Sequence, residues 1–210
     1  RRILSSAGLV ETLRMCEDLT QADDQRGGRM SFVEAISVLD RQPQQFGHDR
    51  TIVFFNDSDQ FHWLRPDELC DVRTGVVCSP NNYAYGAGEG LPDGILRISA
   101  LANYERWAGL SEDQYRLEKL RWYDRLVESS VRFVPDHRSY VIDTDMFTPT
   151  TIRRFTWHNN GAVYGAPEKR FDGTTHLENL FLCGSDQGFV GIIGAIVSGI
   201  TVANKHCLKD

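Results

Sequence analysis

The signatures that would identify a reaction at sight are missing from this chain. Its 210 residues contain no Cys-x-x-Cys pair, no Gly-x-Ser-x-Gly elbow, no P-loop and no His-Glu-x-x-His. Cys16, Cys70, Cys78, Cys183 and Cys207 are scattered and odd in number, and the six histidines are dispersed. This argues against a disulfide framework and a structural metal site, and leads us to expect reduced, buried thiols in a cytoplasmic protein. An excess of cationic residues is also lacking. With 23 Lys and Arg against 29 Asp and Glu, the formal charge is −6, and no basic stripe offsets it, so a nucleic-acid partner is not expected. The apolar run from Phe189 to Ala203, punctuated by Gly and Ser, falls short of the roughly 18–20 residues a bilayer span needs. Repeats and low-complexity segments are absent as well.

What remains is an ordinary globular composition, 41% hydrophobic and 25% charged, enough for one large domain or two small ones. The most informative stretch lies late in the chain. Asn179-Leu-Phe-Leu-Cys183, the turn Gly184-Ser-Asp186-Gln-Gly188, and the run from Phe189 to Ala203 read as strand, loop and helix. The strand is short and uniformly apolar, which predicts a sheet covered on both faces. The helix is apolar nearly all round, which predicts burial. Gly191, Ala195 and Gly199 fall at i, i+4, i+8 and give it a smooth face open to a flat partner or to another helix. Its first-turn N–H groups are expected to point towards Asp186 and to suit an anionic or hydroxyl-rich cofactor. Helix capping alone would equally explain Asp186.

Earlier in the chain, Ile3-Leu4-Ser5 reads as a strand and Leu9 to Leu19 as a helix, with a loop from Gln21 to Arg29. Strand-like runs follow at Ser31–Leu39, Thr51–Asn56, Gln60–Leu64, Gly75–Cys78 and Ile95–Ala100; the short turns between them predict an antiparallel sheet. Ser111 and Gln114 form a capping-box pattern that opens an amphipathic helix, with Tyr115, Leu117 or Glu118, Trp122, Leu126 and Val127 on its apolar side. Trp107, Tyr115, Trp122 and Tyr123 are expected in a core. Val141-Ile142 begins another strand, and Phe147 to Ile152 crosses to the last part. Gly86-Ala-Gly88-Glu-Gly90 lacks the flanking strand and helix of a dinucleotide fingerprint and reads as a loop. His62 and His158 read as structural histidines.

Thr148-Pro-Thr-Thr151, Arg154-Phe-Thr156, Gly161-Ala-Val-Tyr-Gly165, Asn179 to Asp186, Gly191-Ile-Ile-Gly-Ala195 and Ser198-Gly199 together carry a family resemblance. This set resembles the C-terminal part of the phytoene desaturase, carotenoid isomerase and retinol saturase-like branch of the FAD-dependent amine oxidase superfamily. Arg2-Ile-Leu-Ser-Ser-Ala-Gly8 is similar to that family's strand returning to the FAD domain.

The resemblance implies a mixed α/β and α+β fold. Residues 1–20 and 148–210 would form part of a GR2-type FAD-binding domain, and residues 21–147 an antiparallel-sheet-plus-helix substrate domain. It implies FAD contacts from Gly184, Ser185, Asp186, Gly191, Ile192 and Ile193, and a substrate cavity near Trp157 and Tyr164. No catalytic acid or base is named. The implied activity is hydride exchange between FAD and the C–C or C=C bonds of a hydrophobic, polyene-like substrate. A non-catalytic partner subunit and an amine oxidase-type flavoenzyme are the alternatives. The family's N-terminal dinucleotide-binding βαβ unit has no counterpart in this sequence. The chain is therefore expected to be a segment of a longer or processed polypeptide, inactive by itself, with the N-terminal FAD-domain half as its partner. It is also expected to expose apolar surface on Ile3, Leu4 and the last helix, and a peripheral membrane contact is left open.

Overall fold

The computed structural model describes residues 1–18, 20, 22–23, 26–61, 63–188 and 191–208. They form two compact units, one from Arg1–Ser31 and Thr150–Asp210, the other from Phe32–Pro149. Residue 19, at the expected end of the first helix, and His62 lie outside the described residues.

The second unit is built on a five-stranded sheet ordered β3-β4-β5-β2-β6. Its strands are β2 (Ser31–Leu39), β3 (Ile52–Asn56), β4 (Cys70–Cys78), β5 (Gly94–Ala102) and β6 (Val141–Phe147). The pairs β3–β4, β4–β5 and β2–β6 run antiparallel. Period-two alternation divides each strand between two faces. Val33, Ala35, Leu39, Val77, Leu96 and Ile98 from one face enter the core with Trp122, Leu126 and Val127. Each large side chain enclosed this way contributes about 1.5–3 kcal/mol of burial.

Helix α3 (Glu112–Ser130) follows the short helix α2 (Tyr104–Ala108), and its capping box forms as the sequence predicts. Ser111 Oγ accepts the Gln114 N–H at 3.3 Å while Gln114 Oε1 accepts the Ser111 N–H at 3.0 Å. Trp107 and Trp122 are buried, with Tyr115 and Tyr123 packed against the core. Leu117 instead faces solvent, because it stands about 140° around the axis from Trp122. Gln60–Leu64 is not a strand among the described residues. Asn56 turns the chain at the end of β3 by donating from Nδ2 to the Ser58 carbonyl, and beyond it Phe61 stacks on Trp63 with ring centroids 5.9 Å apart.

In the first unit, β1 (Ile3–Ser5) pairs in parallel with β7 (Leu180–Leu182), placing Ile3 opposite Leu180 and Ser5 opposite Leu182. This is a two-stranded sheet; Leu180 and Leu182 are buried while Phe181 stacks on His206, so the expected two-sided cover is incomplete. Helix α1 (Leu9–Met15) buries Leu9, Val10 and Leu13 against Ala166 and Leu182. The expected crossing segment is helical: α4 runs Pro149–Thr156, with Pro at the first helical position, where its missing N–H costs nothing. Helix α5 (Gly191–His206) completes the unit. Only Ser198 and Val202 of it are buried, which corrects the burial read from its all-round apolarity, while Ile3, Leu4 and the other faces of α5 expose apolar surface as the family resemblance implies; none of the described residues forms a layer over those faces. All five thiols are free. Cys70 is buried but Cys16, at the surface end of α1, is exposed, contrary to the expectation of uniformly buried thiols.

Candidate functional site

The loop between β7 and α5 is held by hydrogen bonds made to its own unit. Gly184, at φ 88° and ψ −152°, turns the chain sharply after the strand. Its N–H donates to Ser198 Oγ at 2.7 Å, tying the loop to the buried side of α5. Ser185, Asp186 and Gln187 form a single 3-10 turn. The Ser185 carbonyl accepts from Lys169 Nζ at 3.0 Å, and the same ammonium donates to the Tyr164 carbonyl at 2.5 Å. Burial lowers the Lys169 pKa below the ordinary lysine range.

Asp186 is 3% exposed. Its carboxylate accepts the Leu9 N–H at 2.5 Å and the Ala166 N–H at 2.7 Å. Leu9 opens α1, so the acid caps the first helix of the unit and not the last. The sequence-based expectation that Asp186 faces the start of α5 is corrected accordingly. Capping was the competing explanation, but the helix capped lies 177 positions away in sequence. Gly165 makes room for it. At φ 69°, a Cβ there would sit 2.0 Å from Asp186 Oδ1.

Gly191, Ile192 and Ile193 behave differently from Gly184, Ser185 and Asp186. All three are exposed, Ile192 at 83%. A Cβ built on Gly191 or on Gly199 would meet nothing within 4 Å, so the smooth face predicted from their spacing is open. The first turn of an α-helix carries N–H groups without intrahelical acceptors and the positive end of the helix dipole. Donors of that kind on an uncovered, apolar surface fit the electron-rich edge of a flat ring. Asp186 does not fit direct contact with such a group, since both its oxygens are engaged by backbone and it is enclosed.

Trp157 follows α4 with φ 63° and is 80% exposed, whereas Tyr164 is half-buried. On α1, Glu11 accepts the Asn159 N–H at 2.6 Å and pairs with His158 Nδ1 at 3.7 Å. Burial pushes the Glu11 carboxyl up, but the bonds from His158 and the Asn159 N–H lower it overall, and the same pair raises His158.

Sequence reasoning missed a second cluster, in the other unit. Glu34 on β2 bonds Arg97 Nε and Ser99 Oγ on β5, and Phe54, Phe61 and Trp63 line an apolar cavity of about 420 Å³. Alternation alone could place each residue on a strand face. The lateral strand order that unites them is not written in any local pattern. No protein-family model matches the chain, and no curated protein matches its sequence.

Proposed function

We propose that this chain is the C-terminal portion of a flavin-dependent oxidoreductase with FAD as cofactor and a hydrophobic, polyene-like substrate. The first unit would be the C-terminal strand-loop-helix part of a GR2-type FAD-binding domain. The observation that carries the reading is the open first turn of α5, where a Cβ added to Gly191 would meet nothing within 4 Å and Ile192 and Ile193 are exposed. The remaining apolar stripe of α5 fits a helix that another polypeptide segment covers.

FAD bound against this turn supplies hydride exchange with carbon–carbon bonds. The N–H groups of Gly191, Ile192 and Ile193 would hold the ring edge and would stabilise negative charge there without reorganisation of the backbone. Gly184 and Ser198 fix the loop to the helix, and Asp186 fixes it to α1. These are positioning roles; no side chain of this unit is assigned as acid or base. The enclosed Asp186 carboxylate supports a second reading, a partner subunit that keeps the fold without the cofactor.

The test is co-expression of this chain with the N-terminal FAD-domain half that the reading requires, followed by the visible absorbance spectrum of the purified material. A bound-flavin spectrum is expected. Colourless protein that is otherwise folded would sink the flavoenzyme reading and leave the partner-subunit one.

A further inference from the structure

The sheet of the second unit has one face packed on α3 and one only partly covered, where Glu34, Thr74 and Leu101 are buried but Phe54 is exposed, and the open part of this second face carries two features of opposite chemistry. Register defines the layout. Phe54 of β3 lies opposite Val76 of β4, and Val76 opposite Ser99 of β5; one step along, Ile52, Cys78 and Arg97 form the next row. Directly paired residues point to the same side of a sheet, so Phe54, Ser99 and Arg97 share this face. Glu34 joins them from β2 through its bonds to Ser99 and Arg97.

At one end the face is apolar and aromatic. Phe54 is 77% exposed and, with Phe61 and Trp63, walls the cavity of about 420 Å³. The polar groups at its floor are already satisfied: Thr74 Oγ1 donates to Asn56 Oδ1 at 2.9 Å, and Asn56 Nδ2 donates to the Ser58 carbonyl at 3.0 Å. Such a pocket selects apolar bulk and offers a ligand no polar handle of its own.

The other end supplies that handle. Glu34 is 7% exposed and holds the Arg97 guanidinium by its Nε edge, leaving the side chain 43% exposed. An arginine gripped along one edge has its outer N–H groups fixed in direction, which removes much of the entropy cost of binding an anion. Tyr83 stands beside it, with its hydroxyl 3.4 Å from Cys78 Sγ. Strand spacing of roughly 4.8 Å and a rise of roughly 3.4 Å per residue put Arg97 about 12 Å from Phe54 across the face.

We infer that the open face of this sheet binds an amphipathic carboxylate, its apolar chain against Phe54, Phe61 and Trp63 and its carboxylate on Arg97. The ligand is called the substrate only on the flavin reading above; its binding requires no flavin, so the two can fail separately.

The experiment is calorimetric titration of the full chain with dodecanoate, dodecanol and the methyl ester of dodecanoate, without flavin. Dodecanoate is expected to bind roughly tenfold to a hundredfold more tightly than the alcohol or ester, the value of a charge-assisted bond. Arg97→Gln alone would strand the Glu34 carboxylate, so the pair Glu34→Gln and Arg97→Gln is changed together. This double variant should lose the preference and still bind the alcohol. Phe61→Ser, on an exposed ring, should weaken all three ligands severalfold and keep the preference. Equal affinity for acid and alcohol in the unaltered protein, a preference that survives the double variant, or no binding at all would overturn the inference.

Discussion

Among single residues, Asp186 has the best-defined role. Two buried N–H groups, from Leu9 and Ala166, depend on its carboxylate. Asp186→Ala strands both donors, and each buried unsatisfied donor costs about 1–3 kcal/mol, so a loss of about 2–6 kcal/mol is expected from urea unfolding. Asp186→Asn keeps an acceptor and should cost visibly less. If the alanine variant unfolds like the parent, the carboxylate is not holding α1. The histidines set the pH response. Burial pulls His48 and His137 below the ordinary histidine range. Their unfolded forms take up protons at higher pH than the folded unit does, so their contribution is complete above about pH 6.5 and stability falls below it. His158 has the opposite sign. The hydrogen bond to Glu11 raises it, so its contribution is complete below about pH 6.5 and is lost as pH rises through the raised value. His158→Gln removes the stabilising partner at acid pH, and its urea midpoint should therefore drop further than the parent's between about pH 7.5 and about pH 5.5. A smaller drop in the variant would contradict this assignment of signs.

Helices α3 and α5 contrast at the scale of the element. Helix α3 is specified locally and then buried. Ser111 and Gln114 satisfy N–H groups at its start, and Trp122, Leu126 and Val127 attach it to the sheet. Ser111→Ala should cost about 1 kcal/mol, read from thermal unfolding, and leave the far end of the helix unchanged. Helix α5 is apolar on most of its faces, and among the described residues no layer covers those faces. Ile192, Ile196 and Ile200 repeat at i, i+4, i+8 and are all exposed. Changing Ile196 and Ile200 to lysine should reduce self-association of the chain in sedimentation velocity without lowering its unfolding midpoint. A loss of stability would show that these side chains are packed in solution.

At the scale of the whole molecule, no helix among the described residues is long and apolar enough to cross a membrane. The two units carry separable chemistries: an open helix start on one and an aromatic face with a fixed arginine on the other. Gly191, at φ 76°, is the position where the proposed flavin contact can be tested with least disturbance. Gly191→Val is strained by that backbone angle, and its side chain would stand where the ring edge is expected. In the co-expressed protein it should abolish flavin absorbance while leaving the unit 2 sheet folded by circular dichroism. Retained flavin would remove Gly191–Ile193 from the proposed site.

Residue patterns alone were enough to locate β1, β2, the capping box of α3, the strand-loop-helix around Asp186 and the small-residue stripe Gly191-Ala195-Gly199, because each depends on neighbours within a few positions. They could not assign Asp186 to α1, since that bond joins residues 177 apart, nor decide between the burial that an all-round apolar helix suggests and the exposure that the missing family half implies, since exposure depends on what the rest of the chain places there. The Glu34–Arg97–Ser99 network and the aromatic cavity arise from the order β3-β4-β5-β2. Strand order is fixed by which faces pack together after the chain has folded back on itself, and no stretch of sequence contains that information by itself.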